Sequence, residues 1–268
     1  MRWLLIFLGL ATHVQADMPD KITLVAPKYW CPFACEAQAE QEGFAIEIAK
    51  HAFAEMNIKV VYFNMPYDRA LREVREGSVD GVIPTFKEEA PEFIYPQQSI
   101  SVTKYCFYTK PYKNWQYTGI PSLEKINFLA TSGYSYSQDI DLYIASMKGS
   151  HSVELLKGED IPQRMFKMLE YERFDALLDD SMLIDFMKAN TGHGADLRVA
   201  GCLDVINHGY LALSPKHKPR SAYFADVFDK GVGILRSKNK IKAILKKYGI
   251  DDWHNELFIQ VKASKKEL

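Results

Sequence analysis

The sequence predicts an α/β fold made of two successive units, each a mostly parallel sheet flanked by helices. Three observations carry this reading. Short β-branched and apolar runs alternate with helical stripes of period near 3.6, the order strand-helix-strand-helix-strand occurs twice, and no low-complexity linker separates the two occurrences. Parallel neighbours need crossover connections, which the intervening helices supply.

In the first unit, residues 22–26 (Ile-Thr-Leu-Val-Ala) read as a strand ended by Pro27. From 45 to 56 the apolar positions are 45, 48, 49, 52, 53 and 56, a helical stripe. Residues 58–63 are β-branched and aromatic, hence a strand. Asp68 is placed to cap a helix with Ala70, Leu71 and Val74 inward, and Gly77 to stop it. Residues 80–84 form a short buried strand. The second unit repeats the order. Residues 126–130 are a strand, 133–136 a loop, 139–147 a helix, 153–156 a strand and 161–171 a helix. A buried strand over 174–178 ends at Asp179-Asp180 and leads into a helix over 181–190; a late strand at 210–214 precedes helices over 222–235 and 241–248.

Residues 1–16 have the form of a signal peptide: Arg2 supplies the charge, Trp3 to Ala11 the apolar core, and Val14-Gln15-Ala16 a small-x-small cleavage site. The expected mature chain has 32 Lys+Arg against 34 Asp+Glu once Arg2 is removed, a net charge of −2. That balance asks for neither nucleic acid nor an anionic membrane. Four cysteines in an exported chain read as disulfides and allow three pairings. Cys31 with Cys35, and Cys106 with Cys202, is the favoured one, because the first two bracket a single turn and the others are remote from it. A zinc site would need a second close Cys/His pair, and the sequence has none, so no metal or cofactor is expected. The closing Lys-Lys-Glu-Leu is taken as chance resemblance to a retention signal, in a frayed tail.

Several motifs stand in a fixed order. Tyr29-Trp30-Cys31-Pro32-Phe33-Ala34-Cys35 is an aromatic, cysteine-bracketed turn. Gly43-Phe44-Ala45-Ile46-Glu47-Ile48-Ala49, Pro66-Tyr67-Asp68-Arg69 and Gly77-Ser78-Val79-Asp80 follow, then Phe174-Asp175-Ala176 with Asp180. In this order they resemble the family 3 bacterial solute-binding proteins, the polar-amino-acid receptors of ABC importers. The resemblance covers essentially the whole mature chain and departs at Ala45, where the family carries an acid. It implies a two-lobed, periplasmic-binding-protein-like fold (type II) with a ligand cleft closed by hinge motion. Lobe 1 would comprise residues 20–103 and 214–262, and lobe 2 residues 104–213. It also implies a periplasmic monomer that captures a small polar solute, an amino acid or related molecule, for an ABC permease in the inner membrane.

Candidate ligand contacts follow from the same places. Trp30 and Tyr67 sit at strand-to-helix loops and match the family's cleft aromatics, where rings stack on a ligand and exclude water; Phe33 reads as core. Thr85 and Lys87 lie in the loop that carries hydroxyl contacts in the amino-acid receptors. There the family places an Arg that forks onto an α-carboxylate. Here that position falls at or beside Ala90, and no Arg occurs between Glu76 and Gln163, leaving Lys87 as the one substitute point charge or else a surface lysine. Ser132, Gly133, Tyr134 and Ser135 form a loop before a helix, which offers either anion-binding donors or an ordinary cap. Asp180 falls where the family holds a ligand ammonium.

Two other functions fit the same fold. A cyclohexadienyl-dehydratase-like enzyme would draw its acids from Glu47, Asp68 and Asp180, but no nucleophile–base pair accompanies them, and His193 and His208 sit in glycine-flanked loops. The other is a sensor subunit reporting to a membrane kinase or chemoreceptor.

Overall fold

A computed structural model describes residues 19–253; the leader at 1–16 and the end of the chain beyond 253 lie outside the described residues. The first part holds β1 (Lys21–Ala26), α1 (Phe44–Ala54), β2 (Lys59–Asn64), α2 (Tyr67–Glu76) and β3 (Gly81–Thr85). Next come β4 (Ser101–Thr109), a 3-10 helix (Ile120–Lys125), β5 (Phe128–Thr131), α3 (Gln138–Ser146), β6 (Val153–Leu156) and α4 (Ile161–Glu170). Last are β7 (Ala176–Asp180), α5 (Ser181–Thr191), β8 (Arg198–Leu213), α6 (Lys218–Ser237) and α7 (Lys240–Lys247).

The strands follow the order β2-β1-β3-β8-β4-β7-β5-β6. β2, β1 and β3 run parallel on one side, and β7, β5 and β6 run parallel on the other. Between them stand β8 and β4, antiparallel to each other and to their outer neighbours. Both βαβ repeats are present, as the sequence order requires. The 16-residue β8 begins twelve residues before the predicted late strand, and β4 was not predicted. β8 carries polar residues and Gly201 and Gly209 among its apolar ones, so its first part reads as a loop until β4 is available to pair with it.

The motifs are locked by backbone geometry. Gly43 has φ 102°, and a Cβ there would lie 2.4 Å from the carbonyl oxygen of Phe33. That close approach lets the cysteine-bracketed turn supply what a capping side chain otherwise would: the Phe44 N–H donates to Pro32 O and the Ala45 N–H to Phe33 O. Cys31 is bonded to Cys35 in that turn. Cys106 is bonded to Cys202 across the β4–β8 register, so the structure holds the favoured pairing. Three other details differ from expectation. α2 starts at Tyr67 with Pro66 as its N-cap and no capping side chain, which puts Asp68 in the first turn. β7 lies two residues later than predicted. Asp180 is therefore both the last residue of that strand and the N-cap of α5, its carboxylate accepting from the Leu183 N–H.

Candidate functional site

Five aromatic rings meet where the two parallel sheets approach. Trp30, fully buried after β1, contacts Tyr67 at 6.3 Å, Phe86 at 6.2 Å and Tyr134 at 5.9 Å between ring centroids. Tyr134, from the loop after β5, also meets Tyr67 at 5.8 Å and Tyr105 at 6.5 Å. Tyr105 on β4 completes the cluster against Phe86 at 6.4 Å. Trp30, Tyr67 and Phe86 come from the β1–β3 side, Tyr134 from the β5–β7 side and Tyr105 from a crossing strand. The cluster thus ties both sides together, with each pair contributing on the order of 0.5–1.5 kcal/mol beyond its buried area.

Three carboxylates adjoin these rings. Glu89 follows β3; it accepts from the Tyr67 hydroxyl, and its other oxygen accepts from the Ser135 N–H of the opposite side at 3.1 Å. Burial pushes its pKa up to about 7, against the hydrogen bonds that hold it down. Asp180 is fully buried and its pKa is pushed up to about 8, by burial first and then by its neighbour Asp179. Burial alone raises Asp179 to about 7. No cation is among the causes acting on any of the three. Asp180 stands directly opposite Tyr105 in the antiparallel register, so their side chains share one face. Burial, then Glu89, Tyr136, Asp180 and Asp179, drives the Tyr105 phenol well above its ordinary value.

Some buried polar atoms here have no hydrogen-bond partner among the described residues: Trp30 Nε1, Tyr105 Oη, Asp180 Oδ2 and, on the same face of β4, Ser101 Oγ and Thr103 Oγ1. Burying such groups unpaired is costly. Trp30 and Tyr105 belong to the ring cluster, whereas Ser101 lies farther along β4, beside Gly209. At the edge of the cluster a cavity of about 300 Å³ opens between the two sides, lined by Tyr29, Tyr67, Asp68, Thr131, Ser132 and Lys157.

The structure brings together Trp30, Tyr67 and Tyr134 from the sequence-derived set, and Asp180 adjoins them through Tyr105. Thr85 is buried and its hydroxyl lies 2.8 Å from the Tyr67 hydroxyl, one step behind the rings. Ser132 lines the cavity, and Gly133 comes so close to α2 that a Cβ would lie 3.1 Å from Asp68 Oδ1. Some donors at this loop are already engaged within the protein. The Ser135 N–H goes to Glu89, while the Ser135 hydroxyl and the Tyr136 N–H go to Asp141 of α3. Lys87 stands apart: it is exposed, with Nζ 4.2 Å above the Tyr210 ring. Ala90 is fully buried in the apolar cluster of Val74, Val82 and Phe93, which also holds Tyr67.

Sequence reasoning passed over Phe86, Glu89 and the β4 residues Ser101, Thr103 and Tyr105. The signal for β4 was a period-two alternation, Ser101-x-Thr103-x-Tyr105-x-Phe107, which puts these side chains on one face. Of the acids weighed for catalysis, Glu47 sits elsewhere, accepting from Lys247 and the Tyr248 hydroxyl at the start of α1.

Two parallel α/β sheets joined through antiparallel crossing strands, with rings and unpaired carboxylates gathered where they meet, define a periplasmic-binding-protein-like molecule. Solved structures share this fold at low sequence identity. An arginine-binding protein mutant from T. maritima aligns with TM-score 0.69 and 13% identity over 85% of this chain and 95% of its own. A histidine kinase sensor domain with similarity to periplasmic binding proteins gives 0.71 and 14%, over 87% and 97%. A substrate-binding protein of an ABC uptake transporter from Streptococcus pneumoniae, with bound histidine, gives 0.69 and 15%, over 85% and 92%. No curated protein matches in sequence. Residues 22–251 match the family described as bacterial extracellular solute-binding proteins, family 3, and the chain belongs to that family.

Proposed function

We propose that this protein is a periplasmic receptor that captures a small polar solute between two lobes and presents the closed form to an ABC permease. Lobe 1 would be residues 20–103 and 214–262, and lobe 2 residues 104–213, hinged where β4 and β8 cross. The observation that carries the reading is the convergence of Trp30, Tyr67 and Tyr134, joined through Tyr105 to the fully buried, partly unpartnered Asp180. A pocket that is mainly apolar with a few polar anchors is the usual form of a small-molecule site. Ligand would act by favouring the closed population, without bond chemistry. The likeness to a kinase sensor domain supports a second reading, in which the same capture is reported to a membrane sensor.

A thermal-shift screen of the mature protein with amino acids, amines, opines, polyamines and small carboxylates tests this. We expect at least one class to raise the melting temperature, and Trp30→Ala and Asp180→Ala each to weaken binding of that compound. If both variants bind it like the parent, the site is elsewhere.

A further inference from the structure

The charges and unpartnered atoms of the ring cluster say which solute it takes. Glu89, Asp179 and Asp180 are the ionisable carboxylates at the cluster, and no Lys or Arg among the described residues pairs with them. Lys87 lies over Tyr210, and Lys157 is an exposed residue that lines the adjoining cavity together with Asp68. The Ser135 and Tyr136 N–H groups, which could have met an anion, already serve Glu89 and Asp141. Lys157 is the cation of the adjoining cavity, but a ligand carboxylate seated among the rings themselves would meet acids and no basic side chain of the described residues. That disfavours it by desolvation and, where those acids are ionised, by repulsion.

The unpartnered atoms carry the complementary information. Asp180 Oδ2 is an acceptor only and asks for an N–H or O–H donor. Trp30 Nε1 is a donor only and asks for a single acceptor, while the Tyr105, Ser101 and Thr103 hydroxyls accept or donate. Trp30 and Asp180 are each more than nine-tenths buried, so solvent does not satisfy them. The faces of Trp30 and Tyr134 suit a positive charge, since aromatic faces attract cations.

Building on the receptor reading above, we propose that the solute is a small organic ammonium compound that has no carboxylate and carries a neutral hydrogen-bond acceptor, such as an amino alcohol or an amino-acid amide. Its ammonium is held by Asp180, with Glu89 supplying further negative charge, and its neutral acceptor takes the Trp30 N–H. Plain α-amino acids are disfavoured because, among the described residues, no basic side chain stands at the rings to balance their carboxylate.

Matched pairs test this directly by calorimetric titration of the mature protein. Each amino acid is compared with its amide and with its decarboxylated amine: arginine with argininamide and agmatine, lysine with lysinamide and cadaverine, histidine with histidinamide and histamine. For at least one side chain we expect the amide or amine to bind tenfold or more tighter than the parent acid. Glu89→Gln, which keeps the size of the side chain and one acceptor oxygen, should reduce that ratio severalfold. A parent amino acid that binds as tightly as its amide and its amine overturns the inference and leaves the receptor reading standing. Binding of a small carboxylate in preference to every amine does the same. If no compound from the pairs or from the wider screen binds, the receptor reading itself falls and the inference falls with it.

Discussion

The acids at the rim of this molecule and the acids at its centre are the same residue types in opposite circumstances. At the rim each is neutralised. Asp80, at the end of the Gly-x-Val-Asp motif, accepts from the Thr23 N–H at 2.8 Å and from Arg220 Nε at 2.8 Å, joining β1 to α6. Asp175 does the equivalent in the second unit, accepting from the Asn127 N–H and pairing with Lys113. Glu47 fastens α1 to α7 through Lys247 and Tyr248. At the centre, Glu89, Asp179 and Asp180 have hydrogen bonds but no cation, and burial raises the pKa of each. These three acids therefore hold the fold, whereas burial of the central acids without a cation opposes it, a cost that the proposed receptor site would account for.

Neutralising one acid from each set should separate the two roles. Asp180→Asn keeps an N-cap oxygen for the Leu183 N–H, since Asn caps helices about as well as Asp. We expect its solute affinity to fall about a hundredfold, roughly 2.7 kcal/mol, with the melting temperature unchanged or raised. Asp80→Asn should do the reverse. Losing a charge-assisted clamp costs about 2 kcal/mol of stability, with affinity for the solute within about twofold of the parent. Calorimetric titration and thermal unfolding of both variants measure this double contrast. Weak binding by Asp80→Asn alongside normal binding by Asp180→Asn would invert the assignment.

Acidity gives a second, smaller contrast. The folded pKa values of the central acids lie above their unfolded ones, so the folded state without solute holds more protons than the unfolded state between about pH 4 and pH 8. The stability they contribute is complete below the unfolded pKa and is lost as pH rises through 7 to 8. A bound ammonium reverses this by favouring the ionised carboxylates. Affinity should therefore climb from pH 6 to pH 8, by up to about tenfold per pH unit for each proton released. Titrations in two buffers of different ionisation enthalpy count those protons. A flat profile would mean that the solute carries no charge into the site.

Much of the fold was legible because its signals are local. The helical stripe from 45 to 56 and the paired motifs lie on contiguous elements, and Gly43 shows why its motif demands glycine: a side chain would strike the Phe33 carbonyl. Trp30, Tyr67, Tyr134 and Asp180 were legible for the same reason, being loop or strand-end positions adjoining recognisable strands. Glu89, Tyr105 and the crossing strands were not. β4 and β8 reveal themselves only when paired with each other, since Thr103 faces Asn207 and Cys106 faces Cys202 across more than ninety residues. Glu89 looks like one of two solvated acids beside Lys87 until Tyr67 and Ser135 are seen to converge on it. In the 132–135 loop the local signal offered anion donors or an ordinary cap, and only the structure shows that the Ser135 N–H is taken by the remote Glu89 and the Ser135 hydroxyl by the nearby Asp141.

Lys87 offers the finest discrimination and the smallest expected change. It was the one cation within reach in sequence of the position where a carboxylate-binding Arg is absent, and a receptor for amino acids would need it. Its ammonium instead lies over Tyr210 at 4.2 Å and Tyr95 at 5.8 Å, where an exposed cation–π contact is worth about 0.5–1 kcal/mol. Its charge is also felt by the half-buried His208, whose pKa is lowered by burial first and by Lys87 second. Lys87→Ala should then cost a degree or two in melting temperature, raise the His208 pKa measured by NMR, and alter solute affinity less than twofold. A tenfold loss of affinity would show that the lysine swings from Tyr210 to the solute. The centre would then no longer be purely acidic, and a carboxylate-bearing ligand would regain its counter-charge.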